Sequence, residues 1–324
     1  MSFRISVIII TYNHEHYISQ CIKSILNQDF KLPFEILIGS DASTDQTMKR
    51  IMEIDGINSE SISIYNHSQN LGMNKNLAFL VARAKGEFIT FCEGDDYWHD
   101  PMKLSHQYNH MISKPDCSMI YSDYGRLQRI EGKDYWNEFT IPFNIHNGYQ
   151  PTTVDLQKTI HIHISSILAK TDLVQEYFCS EFFDSTLALG DVPLFLYLSL
   201  KGKIEYFKKS LSTYRLNEFS VTNRSIASKE KVVLTHCQVV LSAKWGQIPK
   251  KDQLQIKKNC AKRTLDVATL SGNFNILMRY KRYLTLKDWL KVVTVIFLPK
   301  IIAIRLSRIQ NLQKKSFISN AKLI

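Results

Sequence analysis

The chain has 324 residues, of which 44% are hydrophobic, and a formal net charge of +11 at pH 7. This length and hydrophobic content allow a sizeable folded core and exclude an intrinsically disordered chain. The six cysteines are scattered and none is in a Cys-x-x-Cys pair, which indicates a reduced, cytoplasmic protein without a structural zinc site. The apolar run within residues 1–10 is too short for a signal peptide, so export is not expected.

Strand-like and helical patterns alternate three times in residues 1–90. Apolar runs at residues 5–10 and 34–39 are each followed by a polar turn and then by a helical pattern. A third polar turn, residues 70–76, precedes a helix rich in Ala and Leu. This alternation predicts the α/β class, with a mainly parallel sheet, right-handed crossovers and flanking helices.

Polar side chains follow the predicted strands, at the sheet edge where such proteins bind ligands. Thr11 and Tyr12 follow the first strand, and Asp41 follows the second, where its carboxylate could accept a hydrogen bond from the N–H group of a base. Asn76, in the third turn, is also expected to contact the ligand. Asp45 suits the N-cap of the helix that follows it, so its expected role is structural.

The most informative segment is residues 93–101, Glu-Gly-Asp-Asp-Tyr-Trp-His-Asp-Pro, which follows a fourth apolar run. Adjacent carboxylates such as Asp95 and Asp96 repel each other unless a cation or a donor-rich ligand lies between them. A solvated turn is the structural alternative. Neither GxGxxG nor GxxxxGK[ST] occurs in the chain, so we expect Mn²⁺ or Mg²⁺ on Asp96 to neutralise a bound diphosphate. Trp98 could form a wall of a sugar site or belong to the core.

Three features of the second half are candidates for the rest of the site. Asp191 precedes a very apolar helix with Pro193 near its first turn, where it could act as general base or as N-cap. Arg215 could reach the diphosphate from the far side of the cleft or lie on the surface. His161 and His163 alternate with isoleucines like one face of a strand. Strand packing or the lining of the acceptor cleft is favoured over a metal site there, because no further ligand cluster lies nearby.

Charge separates the last part of the chain from the rest. Residues 1–224 contain 21 Lys and Arg against 26 Asp and Glu, whereas residues 225–324 contain 20 against 4. The basic part has a helical pattern, and residues 289–305 are strongly apolar but interrupted by charges and a proline, so a membrane span is not expected. A segment lying in the membrane interface is favoured over a helical cap with a solvated basic face. No zinc-finger or RNA-recognition signature occurs, so no nucleic-acid partner is expected.

The motifs, taken in order, resemble those of the family-two glycosyltransferases. The resemblance covers about residues 3–110 and is carried by these segments: residues 6–13, 41–45, 70–72 and 84–87, and the Asp95-Asp96 pair with Pro101. It implies a GT-A fold and an inverting, metal-dependent transfer of a sugar from a nucleotide-sugar, with UDP favoured as the nucleotide. The implied acceptor is a glycan or a lipid-linked molecule in bacterial surface-polysaccharide synthesis.

The resemblance also implies roles for the nucleotide-binding residues. Tyr12 would stack on the base with Thr11 beside it, and Asp41 would contact the base. Asp95 would hold the ribose.

The remaining implied roles concern the metal and the base. Asp96, with Glu93, would hold the metal, and Asp191 would take the proton from the acceptor hydroxyl. The chain departs from the family's commoner Asp-x-Asp-Asp motif, because Glu93 and Gly94 precede the Asp95-Asp96 pair. It also has Gly190 where the family often has an acid before the base.

We therefore expect three parts. Residues 1–110 would be the nucleotide-sugar-binding half of the GT-A domain, residues 111–224 the acceptor-binding half, and residues 225–324 a basic helical extension. Residues 131–150, which show no clear pattern, would form a loop over the cleft. The expected location is the cytoplasm, peripherally on the inner face of the cell membrane.

Two alternatives remain from the sequence. A nucleotidyltransferase also uses carboxylate-bound metal at such a sheet edge, but it would normally show a glycine-rich basic loop after the first strand. A non-catalytic nucleotide-sugar or membrane-binding module would tolerate the loss of Asp191 without a functional defect.

Overall fold

The computed structural model describes residues 2–139, 146–158, 162–188, 190–216, 225–246, 248–297 and 320–323. The strands are β1 (Ile5–Thr11), β2 (Phe34–Ser40), β3 (Ile62–Asn66), β4 (Phe88–Glu93), β5 (Cys117–Ile130), β6 (Lys133–Phe139), β7 (Ile167–Lys170), β8 (Lys203–Leu216) and β9 (Lys322–Leu323). The helices are α1 (Ile18–Leu26), α2 (Thr47–Met52), α3 (Met73–Val81), α4 (Lys103–Ile112), α5 (Thr153–Lys158), α6 (Thr171–Cys179), α7 (Asp191–Lys201), α8 (Ile226–Val240), α9 (Lys250–Ser271) and α10 (Leu286–Phe297).

These strands form one sheet, in the order β3-β2-β1-β4-β7-β5-β6-β9, with β8 paired to β5. The first four strands are parallel, as the sequence predicts. The short strand β7 is antiparallel to both β4 and β5, so β5 again runs in the direction of β4. Because β8 is parallel to β5, the carboxyl ends of β1, β2, β4 and β8 all lie at the same edge of the sheet.

The sheet is buried on both faces by helices. Strands β1 and β4 are rich in β-branched and aromatic residues and are buried almost throughout. One core contains Ile18, Cys21, Ile22 and Ile25 of α1, which recur at helical spacing. The other core contains α3, α6 and the very apolar helix α7. This two-sided packing fixes the strand ends, and therefore the polar turns that follow them.

Two predictions for the second half are wrong in detail. Residues 133–139, expected in a loop, form the strand β6, which makes a hairpin with β5. Residues 162–164, expected in a strand, instead lead into the 3-10 turn Ile164–Ser166, and the strand β7 begins only at Ile167. His161 and residues 140–145 and 217–224 lie outside the described residues.

The described residues of the basic C-terminal part are mostly helical, as expected, apart from the short strand β9. Helices α8 and α9 pack together beside α7, and Val292 of α10 is buried with Leu265 and Ala268 of α9. Among the described residues, no helix combines the length and apolar character needed to cross a membrane. The apolar stretch predicted at residues 289–305 is described only as far as residue 297.

Candidate active site at the carboxyl edge of the sheet

The acidic segment forms a tight turn directly after β4. The amide of Asp96 donates to the Glu93 carbonyl at 2.9 Å, and Asp96 is only 1% exposed. Its Oδ1 accepts a hydrogen bond from the backbone N–H of Arg215 at 2.9 Å, whereas its Oδ2 has no hydrogen-bond partner among the described residues. Burial, followed by the charges of Asp95 and Glu93, raises the pKa of Asp96 well above its usual value. A buried carboxylate of this kind is stable in its charged form only when a cation or hydrogen-bond donors lie beside it.

His163 completes a set of three possible metal ligands. Its Nε2 lies 3.7 Å from Oδ2 of Asp96, and the ligand atoms of Glu93, Asp96 and His163 all lie within 4.8 Å of one another. The Nδ1 atom of His163 lies 2.7 Å from the Ser165 hydroxyl, which leaves Nε2 for the site. Burial, with a smaller contribution from the Arg126 charge, lowers the pKa of His163 to about 3, so the imidazole is neutral, as a metal ligand must be.

The predicted base lies at the start of helix α7. Asp191 is the first residue of α7, and its Oδ1 accepts the Val192 N–H at 2.8 Å. Burial raises the pKa of Asp191. Burial, followed by the charges of Asp95 and Asp191, raises the pKa of Glu93 to about 8. Because the charge of Asp191 acts on Glu93, the base candidate lies near the metal-ligand candidates at this edge of the sheet.

Three predicted nucleotide-binding residues also come together. Thr11 ends β1 and is buried, and Tyr12 follows it, partly exposed. The amide of Asp41 donates to the Thr11 carbonyl at 2.9 Å, so the first two polar turns are adjacent. The carboxylate of Asp41 accepts from the amides of Leu71 at 2.6 Å and Gly72 at 2.9 Å, and so holds the third turn as well. The predicted contact of Asp41 with a base stays a prediction.

Asn76 is not brought into this site. It is 1% exposed, its Nδ2 donates to the Gly39 carbonyl at 2.9 Å, and its Oδ1 pairs with His67 at 3.0 Å. Both polar atoms are therefore used in joining α3 to the sheet, because the second helical turn of α3 points its amide inward. The expected contact of Asn76 with the ligand has no support from this geometry and stays a prediction.

Arg215 lies beside the acidic turn, but its guanidinium group already has partners within the fold. Its Nε donates to the Asp95 carbonyl at 2.8 Å, its Nη2 donates to Gln20 Oε1 at 2.7 Å, and its guanidinium lies 4.6 Å from the centre of the Tyr17 ring. The guanidinium is thus held against α1 while its backbone fixes Asp96. Trp98, which the sequence left open, is buried in the core.

Arg126 is a residue that sequence reasoning missed. It lies on β5, half-buried, with its guanidinium 3.8 Å from the centre of the Phe139 ring, and its charge reaches His163. No carboxylate lies within ion-pair distance of it among the described residues. The sequence carried no signal for this position, because it depends on the pairing of β5 with β6.

Comparison with known proteins shows which protein family the chain belongs to. Residues 6–178 match the family described as glycosyl transferase family 2. The chain belongs to glycosyl transferase family 2. Membership of this family favours a glycosyltransferase over the nucleotidyltransferase alternative. The match extends beyond the motifs at residues 3–110 and includes β5, β7 and His163.

Two curated relatives each match less than half of the chain. An uncharacterized protein of Mycobacterium tuberculosis is 33% identical over 129 residues, which is 40% of this chain and 37% of the relative. Poly(ribitol-phosphate) beta-N-acetylglucosaminyltransferase TarS of Staphylococcus aureus is 36% identical over 96 residues, which is 29% of this chain and 16% of TarS. The matched region thus spans well under half of these relatives.

Solved structures agree with the chain over most of its length. The S. aureus TarS 1-349 complex with UDP-GlcNAc has a TM-score of 0.59 at 18% identity, covering 90% of this chain and 79% of that one. The mannosyltransferase PcManGT from Pyrobaculum calidifontis, in complex with GDP-Man and Mn²⁺, has a TM-score of 0.59 at 14% identity, covering 91% and 87%. At these identities the likeness shows the fold alone, and the GT-A fold predicted from the sequence is confirmed.

Proposed function

We propose that this glycosyltransferase is an inverting, metal-dependent enzyme that moves a sugar from a UDP-sugar to a hydroxyl group of a glycan or lipid-linked acceptor, in surface-polysaccharide synthesis. The observation that carries the proposal is the convergence of Glu93, Asp96 and His163 within 4.8 Å, with Asp191 close enough for its charge to raise the pKa of Glu93. An inverting transfer needs both parts: stabilisation of the leaving diphosphate, and a base for the acceptor proton.

The chemistry of the three ligand candidates fits a divalent cation. Two carboxylates and a neutral imidazole suit Mn²⁺ well, and Mg²⁺ less well because it prefers oxygen ligands. The buried, unpartnered Oδ2 of Asp96 independently indicates a missing positive partner. When bound, the cation would neutralise charge on the diphosphate; Asp96 would hold it, with Glu93 and His163 beside it.

The polar turns after β1 and β2 would bind the nucleoside. Tyr12 offers a partly exposed aromatic ring beside Thr11, and Asp41 holds the third turn in place. Asp95 follows Glu93 at the same edge and would hold the ribose. UDP is favoured because the nucleotide-sugar in the TarS complex is UDP-GlcNAc, and TarS shares local sequence identity with this chain.

Asp191 would act as the general base. Its raised pKa means that it binds a proton more readily than a solvated Asp, which helps it to take the proton from the acceptor hydroxyl as that oxygen attacks the anomeric carbon. The bond to the diphosphate breaks on the opposite face of the sugar. The charge of Arg126, close to His163, would add to stabilisation of the leaving group.

The C-terminal part would place the enzyme at the inner face of the cell membrane. Leu286 and Leu290 of α10 are 78% and 58% exposed, and the exposed cations Lys281, Arg282 and Lys287 are close to them in the sequence. Exposed leucines next to cations suit an interface of anionic lipid. A lipid-linked acceptor would make this location useful.

Nucleotide binding and transfer together test the proposal. UDP, GDP, CDP and ADP are titrated with and without Mn²⁺ against the wild type and Asp96→Ala. We expect Mn²⁺-dependent binding of UDP that falls at least about tenfold in the variant. Asp191→Asn should lower turnover by about 10³-fold and leave UDP affinity nearly unchanged. Near-full turnover in Asp191→Asn, or no nucleotide binding by the wild type, would contradict the proposal.

A further inference from the structure

The segment just before Asp191 is held by the side chain of Asn74, which lies in the expected donor-binding half. Asn74 lies in the first turn of α3 and is buried. Its Nδ2 donates to the carbonyl of Leu187 at 2.9 Å and to the carbonyl of Ser185 at 3.2 Å. These bonds join two segments more than 100 residues apart in the sequence, just before the base.

Gly190, immediately before the base, is in contact with the same side chain. Its φ of −88° and ψ of −26° are ordinary helical values that any residue can adopt. A Cβ atom at this position would, however, overlap Oδ1 of Asn74. Glycine is therefore needed here for space and not for backbone conformation. This explains why the acid that the family often has before its base is missing from this chain.

The orientation of the Asn74 amide is settled by its surroundings. Its Oδ1 is buried and has no hydrogen-bond partner among the described residues. The reverse orientation would turn the oxygen towards two carbonyl oxygens and lose both bonds, so the observed one is favoured. A buried carbonyl group without a partner is costly, and such a cost is typical of functional sites.

The start of helix α3 is also connected to Asp41, one of the predicted nucleotide-binding residues. The carboxylate of Asp41 binds the amides of Leu71 and Gly72, and Gly72 directly precedes α3. Asn74 follows two residues later. A short chain of hydrogen bonds therefore runs from the turn after β2, through the start of α3, to the segment that carries Asp191.

We propose that Asn74 is a positioning residue for the base: it holds residues 185–187 so that Asp191 faces the acids, and Gly190 leaves the room that Asn74 needs. This inference rests on the proposed role of Asp191. It predicts that Asn74 affects the chemical step through Asp191 without touching the donor.

A double-mutant cycle between Asn74 and Gly190 tests the proposal. The readout is UDP release from UDP-N-acetylglucosamine with Mn²⁺ for the wild type, Gly190→Ala, Asn74→Ala and the double variant. We expect kcat to fall about 30-fold in Gly190→Ala and about tenfold in Asn74→Ala, with KM and UDP affinity changed less than about twofold. In the Asn74→Ala background the added methyl group has space, so Gly190→Ala should cost no more than about twofold there. Equal losses from Gly190→Ala in both backgrounds would overturn the proposal.

Gln175→Ala is the matched control. Gln175 also donates two hydrogen bonds from its amide to backbone carbonyls, those of Val81 and Ala84, at the far end of α3. It should lower the melting temperature about as much as Asn74→Ala and leave kcat unchanged. A fall in kcat equal to that of Asn74→Ala would mean that loosening α3 anywhere is enough, and the positioning role would be rejected.

Hydrogen exchange separates this proposal from the proposed function. Asn74→Ala should speed amide exchange in residues 185–192, and Gln175→Ala should not. This result does not depend on which donor the enzyme uses, so it holds even if the wild type releases no UDP, an outcome that would count against the donor assignment alone. Unchanged exchange in Asn74→Ala would refute the positioning role.

Discussion

At the scale of single residues, His163 is the main difference between the site expected from the sequence and the site in the structure. Its ring lies between Tyr124 and Tyr214, with ring centres 5.3 and 4.4 Å away. Those rings come from β5 and β8, and Asp96 comes from the turn after β4. These residues are dozens of positions away from His163 in the sequence. The sequence therefore could not show that His163 lies beside Asp96.

Removing His163 should weaken metal binding more than nucleotide binding. In His163→Ala, we expect the affinity for Mn²⁺ in the presence of UDP to fall by at least about tenfold, because one of three ligands is lost. Electron paramagnetic resonance of free Mn²⁺ measures this directly. His106→Ala, a histidine that contacts Lys209 and Phe207 away from the cleft, is the control. Equal affinity in both variants would remove His163 from the metal site.

Arg126 should contribute to diphosphate binding, because it is a half-buried cation with no acidic partner among the described residues. We expect Arg126→Gln to lower UDP affinity about tenfold, which is the size of a charge-assisted hydrogen bond, and to leave uridine affinity unchanged. Arg129→Gln is the control on the same strand, since Arg129 is 73% exposed and lies 3.9 Å from Asp134. Calorimetric titration that shows the same loss in both variants, or the same loss for uridine, would contradict this role.

At the scale of elements, the first half was predictable because its signals are local. Each strand is a continuous apolar run, and each polar turn follows it directly, so Thr11, Asp41 and Asp96 could be placed at one edge. The hairpin of β5 and β6 was not predictable in this way. Its turn has positive φ at Glu131 and Gly132, which is the backbone of a type I′ turn, but Glu is an unusual first residue there and gives no turn signal.

Helix α4 carries a buried lysine that should make stability depend on pH. Burial lowers the pKa of Lys103 from 10.5 to about 7, although its Nζ donates to Gln107 Oε1 at 2.6 Å and to Thr90 Oγ1 at 3.1 Å. Between these two pKa values the unfolded chain binds a proton that the folded protein releases. The free energy of unfolding should therefore rise with pH, by about 2 kcal/mol between pH 7 and 9 from this group.

Urea denaturation at pH 7 and pH 9 checks this dependence. The rise should be about 2 kcal/mol smaller in Lys103→Met than in the wild type. Lys49→Met, at an exposed position of α2, should keep the rise of the wild type. The same rise in the Lys103 variant would show that this ammonium group stays charged in the fold, held by its hydrogen bonds and by the Trp98 ring 4.3 Å away.

At the scale of the whole molecule, one sheet joins the two halves of the catalytic domain. The boundary expected at residue 110 falls inside α4, and β7 pairs with both β4 and β5. The acids after β4 and the histidine before β7 can therefore meet only when the two halves are folded together. The division into halves stays a prediction of which residues would bind donor and acceptor.

Membrane binding should depend on the exposed side of α10. Val292 of this helix is buried against α9 and Trp289 packs beside it, whereas Leu286 and Leu290 face outward. Burying two leucine side chains in lipid contributes about 3 kcal/mol or more, and each nearby cation adds about 1 kcal/mol on an anionic surface. Leu286→Ser with Leu290→Ser should therefore lower partitioning onto phosphatidylglycerol vesicles about 100-fold without disturbing the packing of α10 on α9.

Vesicle sedimentation measures this partitioning. Comparing charged with uncharged lipid headgroups separates the contribution of the cations from that of the leucine side chains. On phosphatidylcholine vesicles, which carry no net charge, we expect the wild type to bind weakly, because the 20 cations of residues 225–324 then gain nothing. Deletion of residues 285–324 should abolish binding to both vesicles, but it also uncovers Leu265 and Leu277, so the double substitution is the more specific variant. Sedimentation of that variant with anionic vesicles at the wild-type level would mean that α10 is only a cap on α9, and that its outward leucines have no part in locating the enzyme.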